Sequence, residues 1–182
     1  MEALTAEIPI SPEAMLELND DHLFELVDGL LVEKNMGFLA TRIASVLMWY
    51  LETYLRQNRR GIAICEGSFD CFPKSKNTVR KPDVAVILSG RFPGERIPSG
   101  HSSIAPDIAV EVISPSERVY DSDRKVADYL LSGVKEVWSI NPELKIIRIK
   151  RGNGTSEELD EHGILKSDLL PGFALRVGEI FQ

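Results

Sequence analysis

The sequence predicts an α+β fold with a central mixed or largely antiparallel sheet flanked by helices. Three observations carry this. Short apolar runs outnumber helical patterns along the 182 residues. Most neighbouring runs are joined by tight turn signals, which make hairpins, and few by helical crossovers. Two runs, KPDVAVIL (81–88) and APDIAVEVIS (105–114), are almost continuously aliphatic, as strands covered on both faces are.

Each element has its own signature. Ser11-Pro12-Glu13 opens a short helix, with Ser as N-cap, Pro in the first turn and an acid at the positive end of the dipole. It is expected to run to about Leu18. LFELVDGLLVEK (23–34) follows, and Asp28-Gly29 between its apolar arms marks a two-residue hairpin. Glu25 lies on the first arm and reads there as an exposed strand acid. From Gly37 to Asn58, residues Ile43, Val46, Leu47, Tyr50, Leu51, Tyr54 and Leu55 keep the spacing of one buried helical stripe, with Gly61 at or just beyond its end.

GIAICEGSFDCF (61–72) alternates loosely and predicts a strand, and Pro73 to Thr78 a polar turn. KPDVAVILS is the next strand, Arg91 to Ser103 an exposed loop, and Pro106 to Ser114 a second buried strand stopped by Pro115. Asp121, Ser122 and Asp123 offer N-caps for a helix through Ser132, with Gly133 as its terminal glycine. VKEVWSIN (134–141) and LKIIRIKRG (144–152) form a hairpin, and Gly152 to Gly154 a turn. The tail holds a short strand, a turn at Pro171-Gly172 and a last element docking Phe173 and Phe181. No repeat or linker divides the chain, so one domain over residues 1–182 is expected.

Composition bounds the function. Hydrophobic residues make up 43%, enough for a substantial core. No apolar run approaches the roughly 20 residues that cross a membrane, and the first residues lack a basic-then-apolar leader, so a cytoplasmic protein is expected. Cys65 and Cys71, if on one strand, lie roughly 20 Å apart, which predicts reduced thiols. The net charge of −7 opposes a surface built wholly around a phosphate backbone. Two local basic patches remain: Lys74, Lys76, Arg80 and Lys81, and Lys145, Arg148, Lys150 and Arg151.

The chemistry centres on residues 81–125. Asp83 stands at the start of one buried strand and Glu111 near the end of the next. If the two pair antiparallel, start faces end, and strands about 4.8 Å apart bring both acids within reach of one metal ion. Unpaired buried carboxylates are costly, and an oxygen donor set of this kind suits Mg²⁺, with Mn²⁺ as its substitute. The competing reading makes Asp83 a strand cap and Glu111 a structural partner of Lys125. Asp107 also follows a Pro, but lies roughly 13 Å from Glu111 along one strand and reads as a strand-start residue. Lys125, on the following helix, is the cation that would stabilise charge on a phosphate or position a water, and Tyr129 shares its helix face. His22, His101 and His162 do not cluster, which opposes zinc. No GxSxG, GxxxxGK[ST] or GxGxxG motif is present.

The ordered set of Pro82-Asp83, EVIS (111–114) before Pro115, Lys125, Tyr129, GVKEVWSINP (133–142) and LLPGF (169–173), with FELVDG (24–29) ahead of it, resembles the Uma-type restriction-endonuclease-like family of the PD-(D/E)XK nuclease superfamily. The resemblance implies a restriction-endonuclease-like core and a Mg²⁺-dependent endonuclease acting on DNA. Asp83 and Glu111 would be metal ligands, Lys125 would supply the motif lysine missing at Ile113, and Glu25 would be an auxiliary metal ligand. A homodimer is also favoured. One departure is the His that many relatives carry at the start of the long helix, where this chain reads GFLAT (37–41). The alternatives are a non-catalytic nucleic-acid- or protein-binding module that retains the nuclease core, and hydrolysis of a non-nucleic phosphoester.

Overall fold

The computed structural model describes residues 9–18, 23–34, 36–114 and 119–182. His22 and Pro115 fall outside the described residues. A six-stranded mixed sheet forms the centre, in the order β3-β4-β5-β6-β7-β8. Its strands are β3 (Gly61–Cys65), β4 (Val84–Leu88), β5 (Ile108–Val112), β6 (Glu136–Asn141), β7 (Ile146–Arg151) and β8 (Ser156–Leu159). β5 and β6 pair in parallel, and the other neighbours pair antiparallel. The parallel pair is joined by helix α3 (Val119–Leu131).

Side-chain alternation assigns the two faces of the sheet. Val84, Val86, Ile108, Val110, Val112, Trp138 and Ile140 point to the side covered by the long helix α2 (Phe38–Asn58) and the C-terminal segment. Ala85, Ile87, Ala109 and Val137 point to the other side, where α3 lays down Val126 and Tyr129. The α2 stripe buries Ile43, Leu47, Leu51 and Leu55 completely, while Val46, Tyr50 and Tyr54 are half-buried at its margins. Tyr54 meets Phe173 edge-on, which docks the tail.

Outside the central sheet, α1 (Pro12–Leu16) starts as expected, with the Ser11 hydroxyl accepting from Ala14 N–H, but ends two residues short of Leu18. The hairpin of β1 (Phe24–Val27) and β2 (Leu30–Glu33) turns on Asp28 and Gly29, at φ of 53° and 87°. It is tied to residues 78–81 by mutual backbone hydrogen bonds between Leu26 and Val79, and Arg80 in turn pairs with Phe69. At the C-terminal end β9 (Ile164–Leu165) pairs with β10 (Leu175–Arg176), ahead of a 3₁₀ turn over Val177–Phe181.

Several expectations are corrected. The strand predicted over 61–72 ends at Cys65, because Glu66 adopts φ 53° and breaks the extended run. Cys65 and Cys71 therefore do not share a strand, and both are free thiols. Helix α3 already includes Val119 and Tyr120, so Asp121, Ser122 and Asp123 lie in its first turns and not at an N-cap. Gly133, at φ 98°, ends it as expected. β8 was not anticipated, because SEEL carries no apolar alternation; its pairing with β7 brings Glu158 to Arg148 and Glu157 to Arg151. No helix among the described residues is long and apolar enough to cross a membrane.

Candidate active site

Register brings the two acids together. Val84 pairs with Val110 and Val86 with Ile108, so one further step puts Asp83 opposite Glu111. Opposed positions hold their Cβ atoms about 5 Å apart on one face. Both acids share the parity of Ala85 and Ala109 and so face the α3 side. They line one cleft of about 360 Å³ with Glu25, Lys34, Arg80, Arg124 and Lys125.

Each carboxylate is fixed by a specific donor. Asp83 Oδ2 accepts the Val112 N–H at 2.6 Å, while its Oδ1 is paired with the Lys34 ammonium at 2.6 Å without an aligned hydrogen bond. Glu111 Oε1 accepts the Tyr129 hydroxyl at 2.7 Å, and Lys125 Nζ stands 3.4 Å from its Oε2. Glu25 accepts the Lys81 N–H at 2.9 Å on Oε1 and Arg80 at 3.1 Å on Oε2, with Lys125 at 3.7 Å. The other end of the Arg80 guanidinium meets Asp128 on α3 at 2.7 Å. Lys34 also reaches Glu66, at 3.0 and 2.9 Å, and the Lys81 carbonyl.

Burial and neighbouring charge split the acids electrostatically. Burial raises the carboxyls of Asp83 and Glu111 above their ordinary values, and the adjoining lysines only partly offset this. Burial would raise Glu25 as well, but Lys125 and Arg80 outweigh it and hold that carboxyl low. Burial would also lower Lys34, yet Glu111, Asp83 and Glu66 keep its ammonium above the usual lysine range. The Tyr129 hydroxyl is pushed well up by burial and by Glu111, so it serves as a donor.

The structure therefore brings Asp83, Glu111, Lys125, Tyr129 and Glu25 to one place. Glu25 is buried, in contrast to the exposed strand acid expected from its place on the first hairpin arm. Asp107 lies elsewhere, buried at the opposite end of β5 with Leu88 N–H, Arg91 and Lys135. His101 bridges Ser68 and the Pro12 carbonyl, away from the acids. The first basic patch is split, with Lys74 and Lys76 exposed and Arg80 withdrawn, and the second is matched by acids. Arg80 is buried in the site, and Lys145, Arg148, Lys150 and Arg151 each face an acid on a neighbouring segment.

Lys34, Glu66 and Asp128 were missed by the sequence reading. Lys34 was within reach of it: Val32 opposes Glu25 in the hairpin, and Lys34, two residues on, shares that face. Glu66 carried no such signal, because its direction comes from a left-handed turn.

The donor set suits a hydrated divalent ion. Among the described residues no three His, Cys, Asp or Glu side chains converge as a ready-made cage. Mg²⁺ asks for less, namely one or two carboxylates with waters and substrate oxygens completing the shell. Opposed Asp83 and Glu111 supply that pair. Glu25, Glu66, Asp83 and Glu111 are tied to Lys34, Arg80 and Lys125, with Arg80 shared with Asp128, while Arg124, which also lines the cleft, is paired with Asp28.

The chain also resembles known proteins. Residues 12–178 match the family model Uma2, described as "Putative restriction endonuclease". Among solved structures, the chain is similar to a putative nuclease belonging to DUF820 from Anabaena variabilis ATCC 29413, with a TM-score of 0.79 and 21% identity over 95% of this chain and 98% of that one. At that identity the likeness shows the fold, a restriction-endonuclease-like α+β core. No curated protein matches this chain.

Proposed function

The chain belongs to the Uma2 family of putative restriction endonucleases, and on that footing we propose that it is a metal-dependent phosphodiester hydrolase, an endonuclease acting on DNA. The supporting observation is the antiparallel register that opposes Asp83 and Glu111 on the face covered by α3, with Lys125 beside them. Asp83 and Glu111 would hold Mg²⁺ or Mn²⁺, and Glu25 is the auxiliary carboxylate of the same cleft. When bound, the ion polarises the phosphoryl group and lowers the pKa of a bound water.

The remaining roles fall to the chain's own groups. Val112 N–H and the Tyr129 hydroxyl fix the directions of the two carboxylates, so neither has to reorganise when substrate arrives. Lys125 donates to a non-bridging phosphate oxygen and offsets the charge that develops there. Arg80 and Lys81 N–H keep Glu25 ionised, and Glu25 holds Lys125 toward the reacting centre.

A plasmid-nicking assay with Mg²⁺ or Mn²⁺ tests the proposal. Wild type should convert supercoiled to open-circular DNA only with the ion, and Asp83→Ala and Lys125→Ala should lose roughly a hundredfold or more in rate. Equal cleavage by all three proteins would reject the assigned residues. Absence of metal-dependent cleavage on any nucleic acid would favour a binding module built on the same core.

A further inference from the structure

The cleft already contains a cation of its own. Lys34 Nζ lies 2.6 Å from Asp83 Oδ1, 3.0 and 2.9 Å from the two Glu66 oxygens, and in contact with the Lys81 carbonyl. Its base is anchored where β2 ends, since Lys34 N–H donates to the Leu23 carbonyl at 2.7 Å. The side chain then reaches from the hairpin to the start of β4 and is only 7% exposed. This oxygen set of two carboxylates and a backbone carbonyl is the type that a hard divalent ion also takes.

From these contacts we infer that Lys34 is a built-in competitor for the divalent ion at Asp83, and that loading the site requires its ammonium to withdraw from Asp83 onto Glu66. The inference rests on the proposed ion site. Asp83 has two oxygens, and Val112 N–H takes one while Lys34 takes the other. A divalent ion on Oδ1 would meet the ammonium at hydrogen-bond range between two largely buried side chains, where like charges repel more strongly than in bulk water. Glu66 provides the alternative berth. It already contacts Lys34 through both oxygens, and at 27% exposure it lies nearer the solvent than Asp83. Withdrawal therefore leaves Lys34 paired and frees Asp83 Oδ1 for the ion, with Oδ2 still held by Val112 N–H.

Titration calorimetry of Mn²⁺ without DNA tests the inference on wild type, Lys34→Met, Lys34→Gln and Asp83→Asn, each first checked for native circular dichroism. Both Lys34 variants should bind Mn²⁺ roughly tenfold or more tightly than wild type, and Asp83→Asn should lose binding. A second readout uses wild type alone: saturating Mn²⁺ should speed acetylation of Lys34, measured by mass spectrometry, several-fold. If Asp83→Asn loses binding but the Lys34 variants bind no tighter and labelling is unchanged, the competition is refuted and the ion site stands. If none of the four proteins binds Mn²⁺, or Asp83→Asn binds like wild type, both ideas fall.

Discussion

Glu111 shows what the site costs the fold. Burial, together with Asp83 and Glu25 and against Lys125 and Lys34, holds its carboxyl above the ordinary value. The folded protein keeps this proton over a range in which the unfolded chain has lost it. Its contribution to stability therefore falls as pH rises from the ordinary carboxylate value through the raised one. Glu111→Gln removes that loss and keeps an acceptor for Tyr129. Urea unfolding from about pH 4 to about pH 8 should show the variant gaining on wild type as pH rises; parallel curves would contradict this. Arg80 behaves oppositely. Its guanidinium is buried between Glu25 and Asp128, so Arg80→Met leaves Glu25 without that counter-charge and should cost about 3–5 kcal/mol in the same measurement. The acids were legible from sequence because parity along a strand is a local rule. Asp83 and Glu111 could be opposed from spacing if their strands paired antiparallel, and Lys125 was drawn in by the family resemblance, but the direction of Glu66 could not be read, and the Arg80 pairing depends on a hairpin docking on residues 78–81.

At the scale of elements, the strongly periodic segments were readable and the weakly patterned ones were not. Helix α2 and strands β4 to β7 follow from apolar spacing, whereas β8 is held by charge pairing with β7 and the start of α3 lies ahead of every capping residue proposed for it. One join in the sheet is sterically exacting. Gly61 opens β3 at φ 145°, and a Cβ there would stand 2.1 Å from the Ile87 carbonyl oxygen and 2.8 Å from Leu88 Cα. Gly154, at φ 87°, has open space around the same position. Gly154→Ala should therefore cost only the left-handed penalty of about 1–2 kcal/mol. Gly61→Ala should cost distinctly more and shift the β3 edge. Equal losses in urea denaturation would show that the β3–β4 contact yields easily.

The whole molecule carries a net charge of −7, and the basic residues of the outer strands are matched by acids. Long-range attraction to a phosphate backbone is consequently weak, and the proposed ion supplies part of the missing positive charge. Duplex DNA followed by fluorescence anisotropy should bind at least roughly tenfold more tightly with Ca²⁺ than with EDTA at fixed ionic strength, with the gain lost in Asp83→Asn. Equal affinity in both buffers would mean that the cleft is not where the backbone is held. The most direct measurement is an anomalous difference map from crystals soaked in Mn²⁺. The account predicts a peak within ligand distance of the Asp83 and Glu111 carboxylates, with the Lys34 ammonium moved toward Glu66. A peak at other residues, or an unchanged Lys34–Asp83 pair under saturating Mn²⁺, would contradict it.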